Sequence, residues 1–395
     1  MSFLGYPRPD GSYGTRNYVL VLPGGLVSSK ICQFVDGVRT IITPDYGGGR
    51  TQRDRQTVAR VLVGLGRNPN VAGVILHGLH PAMQYPELKP AVLAQQIAAS
   101  GKPVEVITAQ PFRDTYEVLV RGIKAARRLV CEASHVRRQE TGDEHLCLGV
   151  KCGVSDSTSG IAGNPAVGYL YDQVVAAGGT AMFGETTEII GAEHLLAQRA
   201  ASPEVAQRIL AVSHDIEEKS KGYGQDIRTV NPIPANIEAG ITTLEEKSLG
   251  AIAKAGSTPI QGVLAYGERP AGKGLYFVDN WMSMNSIFLG YAASGANLTL
   301  MVWGGGGYVA DTILYPSLGV VAPLLWTTGN VNTYRACEES MDFCAGTVID
   351  GSETLGQAGD RLLALVRQVA SGSFTKTDTL SFQEANKVYF QDAAF

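Results

Sequence analysis

This chain of 395 residues lacks several things, and each absence excludes a class of protein. It has no run of about 18 apolar residues of the kind that spans a bilayer, so no transmembrane helix is expected. The first residues, MSFLGYPRPDGSYGTRNYVLVL, carry charges ahead of a short apolar run and show no cleavage site, which points to the cytoplasm. No basic stripe interrupts a balance of 33 basic and 37 acidic side chains, and the net charge is −4, so neither nucleic acid nor a membrane surface is expected as a partner. The six cysteines, Cys32, Cys131, Cys147, Cys152, Cys337 and Cys344, form no CxxC pair. That excludes a zinc knuckle and gives no disulfide framework, leaving reduced thiols.

Charge is sparse at 18% and hydrophobic residues make up 45%, a balance that supports a sizeable core and excludes disorder. The 47 glycines call for many tight turns and close backbone approaches, which suit a site for a small ligand. From residue 18, short apolar segments alternate with longer amphipathic ones. Strands are expected at Tyr18–Leu22, Thr40–Thr43, Val71–Leu76 and Val104–Thr108, and helices at Arg53–Gly66, Glu87–Ser100 and Thr115–Leu129. The polar stretch SHVRRQETGDEH then reads as a linker.

Beyond it, strands are expected near Leu146, Ala181, Gly262, Ser294 to Val302 and Val320. Helices are expected at Ala166–Ala177, Ala192–Arg199, Pro203–Lys219, Thr243–Ala255 and Leu355–Ala370, with Thr242 and Glu245 as a capping box closed by Gly256. The rhythm predicts an α/β protein of two Rossmann-like parallel-sheet domains, residues 1–142 and 143–395, the second carrying the chemistry and ending in an arm that packs on a partner subunit. A homo-oligomer is expected.

Chemistry is densest between Leu146 and Leu196. A buried strand ends at Val150, and the following turn offers Cys152, Ser155, Asp156, Ser157 and Ser159, with backbone N–H groups able to meet a small anion. A second strand, Thr180 to Phe183, delivers Glu185, Thr186, Glu188, Glu193 and His194. Glu185, just past the strand end, is placed as a metal ligand or base, and Cys152, Glu188 and His194 as further ligands. The serines, Asp156 and Thr186 are placed on the substrate; helix capping is the plainer role for Asp156.

His77 and His80 follow the strand VAGVILH, where the carboxyl ends of parallel strands open a crevice, and are placed as base and orienter or as ligands. Lys247 is placed to bind a carboxylate or move a proton, although a lysine on a helix is ordinarily solvated. Arg16 offers a carboxylate clamp, or else ties down the N-terminal arm. The glycine run Gly304 to Gly307 lacks the lysine and hydroxyl of a nucleotide-binding loop.

Seven segments in order, FLGYPRPDGSYGTRNYVLVLP, RNPNVAGVILHGL, SGKPVE, CGVSDSTSGIAGNPAVGYLYD, ETTEIIGAEHLLAQRA, NPIPANIEAGITTLEEKSLGAIAKAG and TGNVNTYRACEESMDFCAGTVIDG, resemble the altronate/galactarate dehydratase family across nearly the whole chain. The match looks like the catalytic portion without the small SAF-type domain many relatives carry in front. In that it is similar to the sulfolactate sulfo-lyase large subunit, which works with a separate small subunit.

The resemblance implies metal-assisted removal of the proton α to a carboxylate, with loss of water from a polyhydroxy acid to give a 2-keto-3-deoxy acid and with iron or manganese as the divalent ion. The alternative it leaves open is a carbon–sulfur lyase acting on a small hydroxy acid, and a third reading is a non-catalytic binding subunit. Family cysteine positions are filled by Val27, Gly48 and the His80–Pro81 turn, so only Cys152 keeps a family thiol. A metal, if bound, needs other ligands or fewer.

Overall fold

Apolar runs of four to six residues that are buried on both faces belong in parallel sheets covered by helices. A computed structural model bears this out; it describes residues 2–41, 47–78, 84–108, 114–305, 319–379, 386–392 and 394. His80, Pro81, Thr43, Gly306 and Gly307 lie outside the described residues. The fold is α/β, with fourteen strands among the described residues.

β1 (Ser2–Pro7) and β2 (Tyr13–Gly14) form an N-terminal arm. β3 (Tyr18–Leu22), β4 (Val38–Thr40), β5 (Val71–Gly78) and β6 (Val104–Thr108) make a parallel sheet in the order β4-β3-β5-β6. β7 (Gln139–Gly142) returns antiparallel to β1, giving the small sheet β2-β1-β7. The segment expected as a polar linker therefore holds an edge strand, whose charges face outward and hide the pairing from any hydrophobic pattern.

β8 (Cys147–Gly153), β9 (Thr180–Phe183), β10 (Ile260–Leu264), β11 (Gly274–Val278), β12 (Leu298–Trp303), β13 (Leu324–Thr328) and β14 (Phe343–Cys344) build a second parallel sheet. Its order is β10-β11-β9-β8-β12-β13-β14. Helices Asn164–Ala176 and Leu355–Ala370 help cover one face, and helix Met284–Ser294 the other.

Several expected boundaries move. The expected strand at Ser294 begins four residues late because Gly295, at φ 108°, first ends a helix. Val320 sits in a turn at φ 58° rather than in a strand. Pro90 splits the expected helix Glu87–Ser100 into a short turn and the helix Pro90–Ala98. The cap expected at Thr242 falls one residue later: Thr243 accepts from Glu246 N, and the Glu246 carboxylate reaches back to Thr242 N. The C-terminal arm packs on its own chain, where Gln391 N and Asp392 N donate to Asp54. No described helix is long and apolar enough to cross a membrane.

The two parallel sheets share a core. Helix Gln52–Gly66 lies against helix Met284–Ser294 so closely that a Cβ on Gly64 would stand 2.3 Å from Ala293 O, and their apolar faces merge around Val58, Leu62, Leu65 and Leu289. Three buried asparagines stitch the seam. Asn68 donates to Ala292 O and Ala296 O. Asn70 accepts from Thr15 and Arg16 and donates to Asn297 O and Val321 O. Asn297 donates to Tyr13 O and His145 O while accepting from Cys147 N.

An amide can satisfy donors and acceptors from three segments at once, which no apolar side chain can do. Asn70→Ala removes five such bonds at a site without solvent and should lower the free energy of unfolding by about 3–5 kcal/mol in urea titration. A change under about 1 kcal/mol would show that the seam does not depend on it.

Candidate active site

Parallel pairing of β8 with β9 sets Val150 opposite Phe183, so the residues that follow, Lys151–Cys152 and Gly184–Glu185, emerge side by side at the carboxyl edge of the sheet. Gly184 is needed there, because a Cβ would stand 2.7 Å from Val278 O on the neighbouring strand. Glu185 itself is left-handed at φ 75°, an uncommon conformation for a residue with a side chain. The turn aims its carboxylate back into the protein, where the residue is 0% exposed.

Both oxygens of that carboxylate are engaged. Lys151 Nζ donates to Oε1 at 2.9 Å, while Lys254 Nζ at 2.5 Å and Cys152 N at 3.1 Å donate to Oε2. Glu188, one turn on, pairs with Lys247 Nζ at 3.0 Å, and the Cys152 thiol donates to its other oxygen at 3.3 Å. Lys254 Nζ also stands 3.0 Å from Cys152 Sγ. All six side chains are buried.

Electrostatics follow from this packing. Burial pushes the Glu188 carboxyl up, but Lys247, Lys151 and Lys254 outweigh it and hold it near 2. Burial, reinforced by Glu185, pushes the Cys152 thiol up to about 12, so it is protonated at neutral pH. Burial works against the Lys151 ammonium, yet Glu185 and Glu188 keep its pKa above the ordinary value. Within this cluster three lysines face two glutamates, a formal excess of one positive charge.

A cleft of about 310 Å³ opens beside this cluster, lined by Ser155, Asp156, Ser157, Ser159, Asn164 and Lys247 among others. Lys247 alone of the six buried groups lines the cleft, and its Nζ is shared between Glu188 and Asn231 Oδ1 at 2.8 Å. Two residues that line the cleft carry a buried atom without a hydrogen-bond partner among the described residues, Ser155 Oγ and Asn164 Oδ1. Buried polar atoms of that kind await a ligand or ordered water. One donates and accepts and the other only accepts, a pairing suited to a hydroxy acid.

The structure brings some expected residues together and disperses others. Cys152, Glu185 and Glu188 present ligand atoms within 4.8 Å of one another, and by donor type and spacing this is a group that can hold a metal ion. His194, expected as a fourth ligand, is exposed on the short helix Glu193–Ala197 and stands outside that group. Asp156 caps the turn at Ser159, accepting from Ser159 N and Thr158 Oγ1, while lining the cleft. Thr186 donates to Asp279 and does not line the cleft.

Arg16 is engaged by its own chain, as the alternative expectation had it. Its guanidinium donates to Thr15 O, Val369 O, Ser373 O and Asp378, tying the arm to the far end of the chain. His77 belongs to the first sheet, with Nε2 2.7 Å from Ser28 Oγ. Lys151 and Lys254 were not singled out by the sequence. The signal for Lys254 was its setting in AIAKAG, a lone charge among small apolar residues.

The fit to a divalent metal fails on charge. A cation adds two positive charges to a buried set that already carries one, and every carboxylate oxygen it needs is engaged by an ammonium, an N–H or the thiol. No chemical step below runs through a metal.

Comparison with known proteins matches the family model described as D-galactarate/altronate dehydratase, C-terminal, to residues 143–392. The model described as D-galactarate dehydratase/altronate hydrolase, second domain, matches residues 5–134. The chain is 33% identical to the (2R)-sulfolactate sulfo-lyase subunit beta of Chromohalobacter salexigens, over 97% of this chain and 96% of that one. It is 30% identical to the galactarate dehydratase (L-threo-forming) of Escherichia coli, over 94% of this chain and 73% of the relative. It is 29% identical to the altronate dehydratase of Bacillus subtilis, over 97% and 76%.

Burial pulls the His77 imidazole down to about 4, against a backbone hydrogen bond at Gly24 that favours its charged form. The unfolded chain, with an ordinary histidine, takes up the proton first. The stability His77 allows is therefore complete above pH 6.5 and is lost as pH falls from 6.5 to 4, by up to about 1.4 kcal/mol per unit. Urea unfolding at stepped pH should show this slope in the wild type and a shallower one in His77→Gln; equal slopes would mean that another group titrates.

Proposed function

Since the chain belongs to the D-galactarate/altronate dehydratase family, a family of lyases, we propose that it eliminates water from a polyhydroxy acid to give a 2-keto-3-deoxy acid, using Glu188 and Lys247 as its proton-transfer pair. The observation that carries this reading is the position of Lys247, which reaches both the buried charge cluster and the cleft.

The cleft takes a small acid. Ser155 Oγ donates to its carboxylate and Asn164 Oδ1 accepts from a hydroxyl, satisfying the two unpartnered atoms. As Lys247 turns to the substrate, Glu188 loses the strongest of the influences that lower its pKa, and burial raises its basicity. Lys247 passes a proton to Glu188 and, as the free amine lining the cleft, takes the proton from C2, and the C2–H electron pair becomes the C2–C3 double bond. The C3–O bond breaks, and its oxygen takes a proton from the Lys247 ammonium and leaves as water. Glu188 then returns its proton to Lys247, so the pair ends as it began, and the enol released tautomerises to the 2-keto acid.

Negative charge on the enediolate develops at Lys247, with Lys151 and Lys254 held behind it in the same buried cluster. An iron or manganese ion, the cofactor expected from the sequence, would have to enter against that same charge.

Sulfite loss from a sulfolactate-type acid uses the same proton step with a different leaving group. The match over 96% of a sulfo-lyase subunit favours it as the second reading, with a separate small subunit as the partner and assembly into an oligomer in either case.

A panel of aldonic and aldaric acids, with sulfolactate beside them, separates the two by following 2-keto acid and sulfite. Keto acid from a sugar acid without sulfite supports dehydration; sulfite from sulfolactate, with every sugar acid inert, sinks it. On the substrate that reacts, Lys247→Met should lower kcat about a thousand-fold with little change in KM, because the lost interaction is made mainly in the transition state. An unchanged kcat in a folded variant would remove Lys247 from the chemistry.

A further inference from the structure

We infer that the Lys254 ammonium occupies the place of a divalent cation, so that this site takes up no transition metal while Lys254 is present. The inference rests on the elimination reading for the use made of that charge.

The geometry leaves one place for a cation among Cys152, Glu185 and Glu188. Their ligand atoms lie within 4.8 Å of one another, and an ion bonded to all three at roughly 2.0–2.3 Å must stand near the centre of that triangle. Lys254 Nζ is 2.5 Å from Glu185 Oε2 and 3.0 Å from Cys152 Sγ, so it holds two of the three ligand atoms and crowds the approach of an ion to them. Metal and ammonium exclude each other by contact as well as by charge.

The thiol is occupied from both sides, with Cys152 Sγ 3.3 Å from Glu188 Oε2 and 3.0 Å from Lys254 Nζ. Lys254 lies near the end of the segment Leu244 to Ala255, two residues before Gly256 at φ 62°, and its side chain is buried. It has no solvent-facing alternative without unburying the whole stem.

The three lysines divide the labour. Lys151 neutralises Glu185 from one side, Lys247 serves Glu188 and the cleft, and Lys254 bridges Glu185 to the thiol. A fixed ammonium at this spot holds Glu185 and the thiol together behind Lys247, the one group of the cluster that lines the cleft.

The test reads metal content and needs no substrate, so it stands apart from the test of function. The full chain, incubated with Mn²⁺, Zn²⁺ or anaerobic Fe²⁺ and desalted, should retain less than about 0.1 equivalent, and Co²⁺ should give no thiolate charge-transfer band. Lys254→Ala opens the triangle and should retain about one equivalent, with a cobalt–thiolate band that vanishes when Cys152→Ser is added.

Wild-type protein that holds about one equivalent, and loses it in Cys152→Ser, overturns the inference. So does a folded Lys254→Ala that binds no metal, since Lys254 would then not be what fills the place. If Lys254→Ala fails to fold, the wild-type cobalt titration still decides: a thiolate band refutes the inference, and its absence at saturating Co²⁺ supports it.

Discussion

The carboxylate of Glu185 is the group on which this site depends. A fully buried, unpaired carboxylate costs several kcal/mol, and removing one partner from such a pair is more damaging than never having made it. The fold meets this by bringing Lys151 from the same strand edge, Lys254 from a segment 69 residues on and the Cys152 N–H to one pair of oxygens. The left-handed turn at Glu185, the glycine before it and the register of β8 against β9 are all conditions for that convergence. Once the carboxylate is saturated, Glu188 and Lys247 can stand beside it as a second pair with one end open to the cleft.

Rigidity at the sheet edge comes from elsewhere in the molecule. The asparagine seam and the shared helical core hold the first sheet to the second, and Asn297 within the seam bonds Cys147 N at the start of β8. The strand that presents Lys151 and Cys152 is thus anchored at its other end to the arm and to Asn70. Charges held at fixed positions cost no reorganisation when the reaction begins, and a packed frame is what keeps them fixed.

Where local pattern and tertiary contact agree, the sequence was readable. The strand Thr180–Phe183 is expected and observed at those bounds, and Cys152, Glu185 and Glu188, expected within one segment, lie together because β8 and β9 pair side by side. Lys254 was invisible for the opposite reason: its partners come from two other strand ends, and helical spacing cannot report contacts at that range. A guanidinium such as Arg16 suits a carboxylate ligand and backbone carbonyls equally, so only the fold could choose between them. β7 was read as a linker because an edge strand needs no apolar alternation.

The bonds from Arg16 to Val369, Ser373 and Asp378 join stretches that leave the ribosome far apart in time. At about 5–20 residues per second, some 350 residues of synthesis separate them by roughly 20–70 s. Throughout that interval the Arg16 guanidinium lacks these three partners, so the N-terminal arm is fastened only when the last helix and the residues after it emerge. A chain cut short before residue 369 keeps the arm but not the bonds that tie it down.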